Sequence, residues 1–398
     1  MPNPQPDSAG SGVGCRGDGV MPLPAAPYSW RPLRIGILSH LKYPIREPFA
    51  GGLEMHTHLL ARALRDRGHD VTIFASAQSD ASLGLEAICD ATALAQVGSA
   101  EAHDVAFFKE HHAYLALMKS LRQRPFDVIH NNSLHYLPVS MAETLPMPMV
   151  TTLHTPPFCW LESGVRLCNA PNHSFAAVSR SVADLWNHVA VTDQVILNGI
   201  ELDKFAFIPE AGSSPYLVWY GRIVPEKGLH FAIEAAKLIG LPLRIAGPIL
   251  NQNYFETRIR PYLGPEAIHV GHLDHGALAR LIGGARAFLC TPIWDEPYGL
   301  VVAESLACGV PVAAFGRGAI PEILDDSCGV LAMPDNVNSL AQAGRAAIVL
   351  NREDCRRRAE LTCDARRMID SYEALYLRRI AANDTTAEFA ETAPLLHA

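Results

Sequence analysis

Ala287-Phe288-Leu289-Cys290-Thr291 leads through Pro292-Ile293-Trp294 into Asp295-Glu296-Pro297-Tyr298-Gly299-Leu300-Val301-Val302-Ala303-Glu304-Ser305-Leu306. The first run is short and apolar, which fits a buried strand. Pro297 and Gly299 interrupt the chain, and Leu300, Val301, Glu304 and Leu306 then recur at helical spacing. Strand, loop and helix in that order make the repeating unit of a parallel sheet covered by helices.

Working outward, the same unit recurs from Leu33 onward. The first half offers strands at Leu33–Ser39, Asp70–Ala75, Asp127–Asn131, Met149–Leu153, Phe175–Ser179 and Gln194–Leu197. The second half restarts with Tyr216–Tyr220, Leu243–Ala246, Ile268–Gly271, Ala287–Thr291, Pro311–Phe315 and Gly329–Met333. Two six-strand halves imply an α/β protein of two doubly wound domains, whose ligands bind beyond the carboxyl ends of the strands. The turn residues from Asn198-Gly199 to Ser213-Ser214-Pro215 mark the boundary between them. The first domain is expected over 31–197 and the second over 198–365. Met368, Tyr372, Leu375 and Tyr376 predict a helix over Arg366–Arg379, and 381–398 reads as a weakly patterned tail.

Bulk properties narrow the class. A chain of 398 residues is long for one core, and 49% apolar with 19% charged residues suits a folded enzyme rather than a disordered chain. A formal charge of −8 removes nucleic acid as a default partner. Apolar runs such as Val310–Phe315 fall far short of the roughly 20 residues of a membrane span, so a soluble chain is expected, and its cysteine usage points to a reducing cytoplasm. Nine cysteines show no zinc spacing, Cys159/Cys168 and Cys355/Cys363 included, and read as buried reduced thiols. Residues 1–30, rich in Pro, Gly, Ser and Ala, read as a disordered extension, with Met21 a possible alternative start. They have the wrong profile for a signal peptide.

Four constellations carry chemistry. At Gly299 a glycine opens a helix, where free amides and the positive dipole end suit a diphosphate. Glu296 precedes that helix end, and Glu304 lies about one and a half turns inside. They are candidates to reach a sugar's hydroxyls and a ribose; an exposed helical glutamate and a dipole partner is the alternative. In Gly221-Arg222-Ile223-Val224-Pro225-Glu226-Lys227-Gly228, Arg222 ends a strand and Lys227 opens the helix bearing Leu229, Ala232, Ile233, Ala236 and Ile239. A rigid guanidinium fork and a compact ammonium beside glycines suit a diphosphate, against a solvated surface pair.

Gly51-Gly52 opens a third helix with His56, Leu59, Leu60, Ala63 and Leu64 on one face, where His56 reads as packed. It lacks the full dinucleotide fingerprint, so a simple glycine turn is the alternative. His154-Thr155-Pro156-Pro157 follows the strand Met149–Leu153 and places a histidine able to donate a hydrogen bond to substrate, or to serve structure. His111-His112, Asp104, Lys109, Lys119, Arg122 and Arg124 have no metal spacing; they read as a solvated helix, or as an acceptor or membrane-facing edge. No Asp-x-Asp, G-x-S-x-G or H-E-x-x-H motif occurs.

Glu296-Pro-Tyr-Gly-Leu-Val-Val-Ala-Glu304 resembles the E-x7-E signature of the family 4 glycosyltransferases, which have the GT-B fold of two Rossmann-like domains and usually retain anomeric configuration. Ala307-Cys308-Gly309-Val310-Pro311-Val312, Gly221–Gly228, Gly51-Gly52 and Asn198-Gly199-Ile200 resemble that family too, over roughly residues 33–380. The resemblance implies Arg222 and Lys227 on the donor diphosphate, Glu304 on the ribose and Glu296 on the transferred sugar. It implies backbone amides of Tyr298, Gly299, Leu300 and Val301 on phosphate and sugar, Gly51 and Gly52 closing on the diphosphate, and His154 contacting the donor sugar. The base would be held near Gly271-His272-Leu273. The helix over 366–380 would cross back onto the first domain.

A hexosyl transfer from a nucleotide-diphosphate sugar to an acceptor hydroxyl is therefore expected. UDP-sugar is the first choice and GDP-mannose the second. No metal and no cofactor beyond the nucleotide co-substrate are expected, and contact with a membrane is at most peripheral. The acceptor is a glycan, a lipid-linked group or a small molecule, recognised by first-domain loops such as Gln78–Ala106. The alternatives are a GT-B nucleotide-sugar epimerase and a silent nucleotide-sugar-binding protein.

Overall fold

The computed structural model describes residues 31–90 and 101–392. The extension read over 1–30, the end of the tail and part of Gln78–Ala106 lie outside the described residues.

Two parallel sheets form the framework. The first orders its strands β3-β2-β1-β4-β5-β6-β7: β1 Arg34–Ser39, β2 Asp70–Ser76, β3 Leu85–Cys89, β4 Val128–Asn132, β5 Met149–Leu153, β6 His173–Ala177 and β7 Thr192–Val195. The second orders them β10-β9-β8-β11-β12-β13: β8 Leu217–Tyr220, β9 Leu243–Ala246, β10 Ala267–Gly271, β11 Ala287–Cys290, β12 Val312–Phe315 and β13 Gly329–Ala332. All pairings between these strands are parallel. In each sheet the strand order reverses beside the first strand, the switch point where such folds open a crevice.

The first sheet has seven strands where six were expected. The added strand, β3, sits at the edge and is only half-buried, with Glu86 turned out to pair with Arg124. A half-exposed edge strand needs no continuous apolar run, which was the pattern used to find the others.

Cores lie on both faces of the sheets. In the second domain Val218, Phe288, Val302 and Leu306 pack on one side, and Leu217, Ile245, Leu289 and Leu340 on the other. In the first domain Ile35, Ile37, Leu60, Val128 and Val150 pack with Met368, Ile369, Tyr372, Leu375 and Tyr376. Those last residues belong to the helix Ala365–Thr392, so the C-terminal segment closes the first domain's core. The stretch from 381, expected as tail, continues this helix to Thr392. Extending an anchored helix needs no new nucleus, so weak local propensity suffices. Asn383 also donates to the Pro146 carbonyl at 3.2 Å.

The chain passes between the domains twice at one place. Ile200 N–H donates to the Cys363 carbonyl (2.8 Å), and Ala365 N–H to the Ile200 carbonyl (3.0 Å). Gly199 packs so closely on Ala365 that a Cβ there would collide with the Ala365 backbone.

Several buried histidines in the first domain are held neutral by burial. Burial lowers His56 and His135 to about 4, and His130 and His173 to about 3. The unfolded chain binds protons at these rings below the ordinary histidine value near 6.5, while the folded chain does not until far lower pH. Stability is therefore full above about pH 7 and falls as pH drops through 6.5 toward 4, by about 1 kcal/mol per histidine per pH unit. Urea denaturation at pH 7.5 and pH 5.5 is expected to show a loss of several kcal/mol; an unchanged midpoint would contradict these protonation states.

Candidate active site

The donor-side residues are held by loops clamped to one another. After β8 the chain turns at Gly221, forms a short turn at Pro225–Lys227 and enters the helix Leu229–Ile239. Gly228 adopts the left-handed conformation (φ +63°) and touches the Thr291 carbonyl, leaving no room for a side chain. Thr291 Oγ1 donates to the Lys227 carbonyl (3.0 Å) and accepts from Trp219 Nε1 (3.1 Å), while Ile293 N–H donates to the Glu226 carbonyl (2.9 Å). The loop after β8 and the loop after β11 thus form one body.

Within that body Lys227 and Glu296 meet. Lys227 Nζ lies 2.6 Å from Glu296 Oε2, which also accepts from Trp294 Nε1 at 3.0 Å. The Trp294 ring lies 5.3 Å from the ammonium. Residues expected to hold different parts of one ligand are partners here. Arg222 is exposed and has no hydrogen bond or ion pair among the described residues, which leaves its guanidinium available to an anion.

Gly299 is left-handed (φ +106°) and precedes the helix Leu300–Ala307, whose amino end no side chain caps. Tyr298 is buried in the core, so only its backbone can serve a ligand. Glu304 is 9% exposed, which removes the reading of it as an exposed helical glutamate. Burial, opposed by a hydrogen bond from Tyr220, raises it to about 8. Gly271, with φ +86° and open space around it, ends β10 and starts the Gly271-His272-Leu273 loop at the same edge of the sheet.

From the first domain, Gly51 and Gly52 begin the helix Gly52–Asp66. A Cβ on Gly52 would lie 2.8 Å from Leu300 Cδ1, so the two glycine-led helix starts face each other across the domains. The first-domain start is partly engaged by its own chain. Burial raises the Glu54 carboxyl, but His40, 2.7 Å away, and the amides of Glu54 and Gly51 hold it below its usual value. Glu322 reaches the other way: its carboxylate accepts from Arg180 and Ser181 N–H, each at 2.8 Å, and so fills the start of the helix Arg180–Trp186.

His154 follows β5, and its Nε2 lies 2.8 Å from Asn132 Oδ1. His56 packs edge-on against it, ring centroids 4.7 Å apart. Behind them stand His130, Asn132, Thr152, Tyr372 and Tyr376, all buried and hydrogen-bonded. Sequence reasoning missed this group, although His130-Asn131-Asn132 ending a buried strand is an unusual polar run that marks it. In the helix with His111 and His112, His111 Nδ1 pairs with Tyr136 Oη at 2.9 Å. Among the described cysteines Cys159 is exposed, against the buried reading, and none of the eight is in a disulfide.

Two family models cover this architecture: "Glycosyltransferase Family 4" matches residues 50–204 and "Glycosyl transferases group 1" matches 202–362. The chain belongs to the family 4 glycosyltransferases. It is a transferase of the GT-B fold. It is 27% identical over 343 residues to a glycogen synthase of Mycobacterium tuberculosis, covering 75% of this chain and 82% of that one. It is 25% identical over 361 residues to a phosphatidyl-myo-inositol mannosyltransferase of Mycolicibacterium smegmatis, covering 86% and 90%. Among solved structures, a sucrose-phosphate synthase from Thermosynechococcus elongatus shares the fold with a TM-score of 0.69 at 20% identity, covering 87% of this chain and 99% of that one. An Anabaena protein solved with UDP and glucose shares it at 0.65 and 18%, covering 86% and 99%. Among the described residues no helix is long and apolar enough to cross a membrane.

The Lys227–Glu296 pair makes a specific demand on the ligand. If Lys227 takes a diphosphate, a nucleoside diphosphate without sugar competes with Glu296 for the ammonium. Glu296→Gln is therefore expected to bind UDP or GDP as tightly as the parent or up to about tenfold more tightly, while turnover falls by about a hundredfold or more. Calorimetry with the free nucleotide, beside initial rates, checks both. Weakened nucleotide binding would show that the pair acts as a unit on the phosphate.

Proposed function

We propose that this glycosyltransferase moves a hexosyl group from a nucleotide-diphosphate sugar to an acceptor hydroxyl without a metal ion, and retains anomeric configuration. UDP-sugar is the first choice of donor and GDP-mannose the second. The observation that carries the reading is the Lys227–Glu296 pair, on loops that also carry the exposed Arg222 and lead to the uncapped helix start at Leu300 opposite Gly52.

Breaking the bond to the anomeric carbon leaves growing negative charge on the diphosphate and oxocarbenium character on the sugar. Arg222, Lys227 and the Leu300 helix end stabilise the first, in place of a metal. Glu296 then holds the transferred sugar's hydroxyls, Glu304 the ribose, and the Gly271-His272-Leu273 loop the base. No side chain has been assigned as a nucleophile on the sugar's opposite face, so attack is proposed on the leaving-group face, with the departing phosphate accepting the acceptor's proton. The acceptor, a glycan, a lipid-linked group or a small molecule, approaches from the first domain's loops. The enzyme works in the cytoplasm, touching membrane peripherally at most.

Arg222→Ala and Lys227→Ala are each expected to cut kcat/KM by about two to three decades, the scale of lost transition-state charge stabilisation. Wild-type rates in folded variants would remove the diphosphate assignment, strict EDTA sensitivity would remove metal independence, and a trapped glycosyl–protein adduct would remove front-face attack.

Glu304 makes a pH test of the ribose assignment. Its carboxyl is raised to about 8, so it is largely protonated at pH 7 without ligand. Ribose hydroxyls that donate to it favour the ionised form, and binding then releases a proton. Nucleoside diphosphate affinity is expected to rise with pH up to about 8, by at most about tenfold per unit, and to level off above. Glu304→Gln should flatten that part of the profile; an identical profile would place the ribose elsewhere.

A further inference from the structure

The buried polar group behind His154 determines which of that ring's nitrogens carries a proton. Asn132 is fully buried, and its Nδ2 reaches Thr57 Oγ1 at 3.4 Å, which turns Oδ1 toward two imidazoles. His130 Nε2 lies 3.0 Å from that oxygen and 2.9 Å from Thr152 Oγ1; His154 Nε2 lies 2.8 Å from the same Asn132 oxygen. An amide oxygen only accepts, so both Nε2 atoms carry hydrogen. Burial keeps both rings neutral, by a wide margin. His130 Nδ1 is then bare and accepts from the Tyr376 hydroxyl, whose own ionisation burial suppresses.

The chain of donors runs from the C-terminal helix to the cleft: Tyr376 to His130, His130 to Asn132, and His154 to the same Asn132. It fixes a bare lone pair on His154 Nδ1. That atom has no partner among the described residues, yet it is not one of the buried unpartnered atoms, so it keeps some exposure at the carboxyl end of β5. The ring can therefore accept a hydrogen bond from a ligand but not donate one, the reverse of the role expected from sequence. A hydroxyl satisfies it. A carboxylate brings a second set of lone pairs, and the clash costs more in a site with little water.

We propose that Tyr376, His130 and Asn132 hold His154 as an acceptor-only contact, and that this contact selects donor sugars with a hydroxyl at that position over hexuronic acids with a carboxylate there. The inference rests on His154 reaching the donor sugar. Tyr376, His130 and Asn132 are positioning residues, since none touches the sugar.

Neutron diffraction from a perdeuterated wild-type crystal reads the chain directly, with no variant to misfold. Deuterium is expected on Nε2 of both His130 and His154 and on the Asn132 nitrogen facing Thr57, with none on His154 Nδ1. Deuterium on His154 Nδ1 would overturn the proposal. The specificity half is read with UDP-glucose against UDP-glucuronate, and GDP-mannose against GDP-mannuronate, by rate and by protection against thermal unfolding.

The neutral sugar of the productive pair is expected to be preferred by about a hundredfold or more. Tyr376→Phe should lower kcat by about three- to tenfold with nucleoside diphosphate affinity unchanged. Asn132→Asp puts a carboxylate between the two imidazoles and favours a protonated His154, which donates from Nδ1; the preference should shift at least tenfold toward the hexuronic acid. A merely structural Asn132 would lose rate with both donors alike, and that result overturns the selection. If the neutron map is as expected but the wild type does not discriminate, the placement of His154 at the sugar is what fails, and the selection falls with it. The diphosphate assignment is tested separately through Arg222 and Lys227.

Discussion

Everything in the cleft depends on the contact between Gly199 and Ala365. There the polypeptide leaves the first domain and returns to it, and the two passing segments exchange backbone hydrogen bonds. Because both crossings share one place, the carboxyl edges of the two sheets meet across a short gap. Gly52 on one side then touches Leu300 on the other. A larger residue at 199 would push the crossings apart and misalign groups far from it, since packed elements transmit small displacements. Glu322 at the start of the Arg180–Trp186 helix and the Arg62–Glu201 ion pair brace the same arrangement from outside.

Charge is divided unevenly across the cleft. The second domain supplies the cations and an uncapped helix end. The first supplies neutral imidazoles and a helix start already engaged by Glu54. That asymmetry suits a ligand whose charged end is the diphosphate and whose other end is a neutral sugar. It also gives each of two carboxylates a partner within the protein: Glu296 has Lys227 and Glu54 has His40.

The framework was legible because buried parallel strands are continuous apolar runs. Met149–Leu153 and Leu243–Ala246 were placed to the residue, and most other strands to within one or two. The edge strand Leu85–Cys89 escaped because exposure on one side breaks the apolar run. The helix beyond 380 escaped because its stability comes from the anchored turns before it rather than from its own composition. In the site, glycines and charges at strand ends were readable from spacing alone. The pairing of Lys227 with Glu296 was not, since residues 69 apart in sequence meet only once the two loops are clamped. Nor was the chain from Tyr376 to His154, which joins residues more than 200 apart through the fold.

A crystal structure of the protein with an intact nucleotide-diphosphate sugar tests the central claim most directly. The account expects the diphosphate at the amides of Leu300 and Val301, in contact with Arg222 and Lys227, with the Lys227–Glu296 pair parted and Glu296 on the sugar. A diphosphate bound away from the Leu300 helix start, or a Lys227–Glu296 pair left intact beside it, would contradict it.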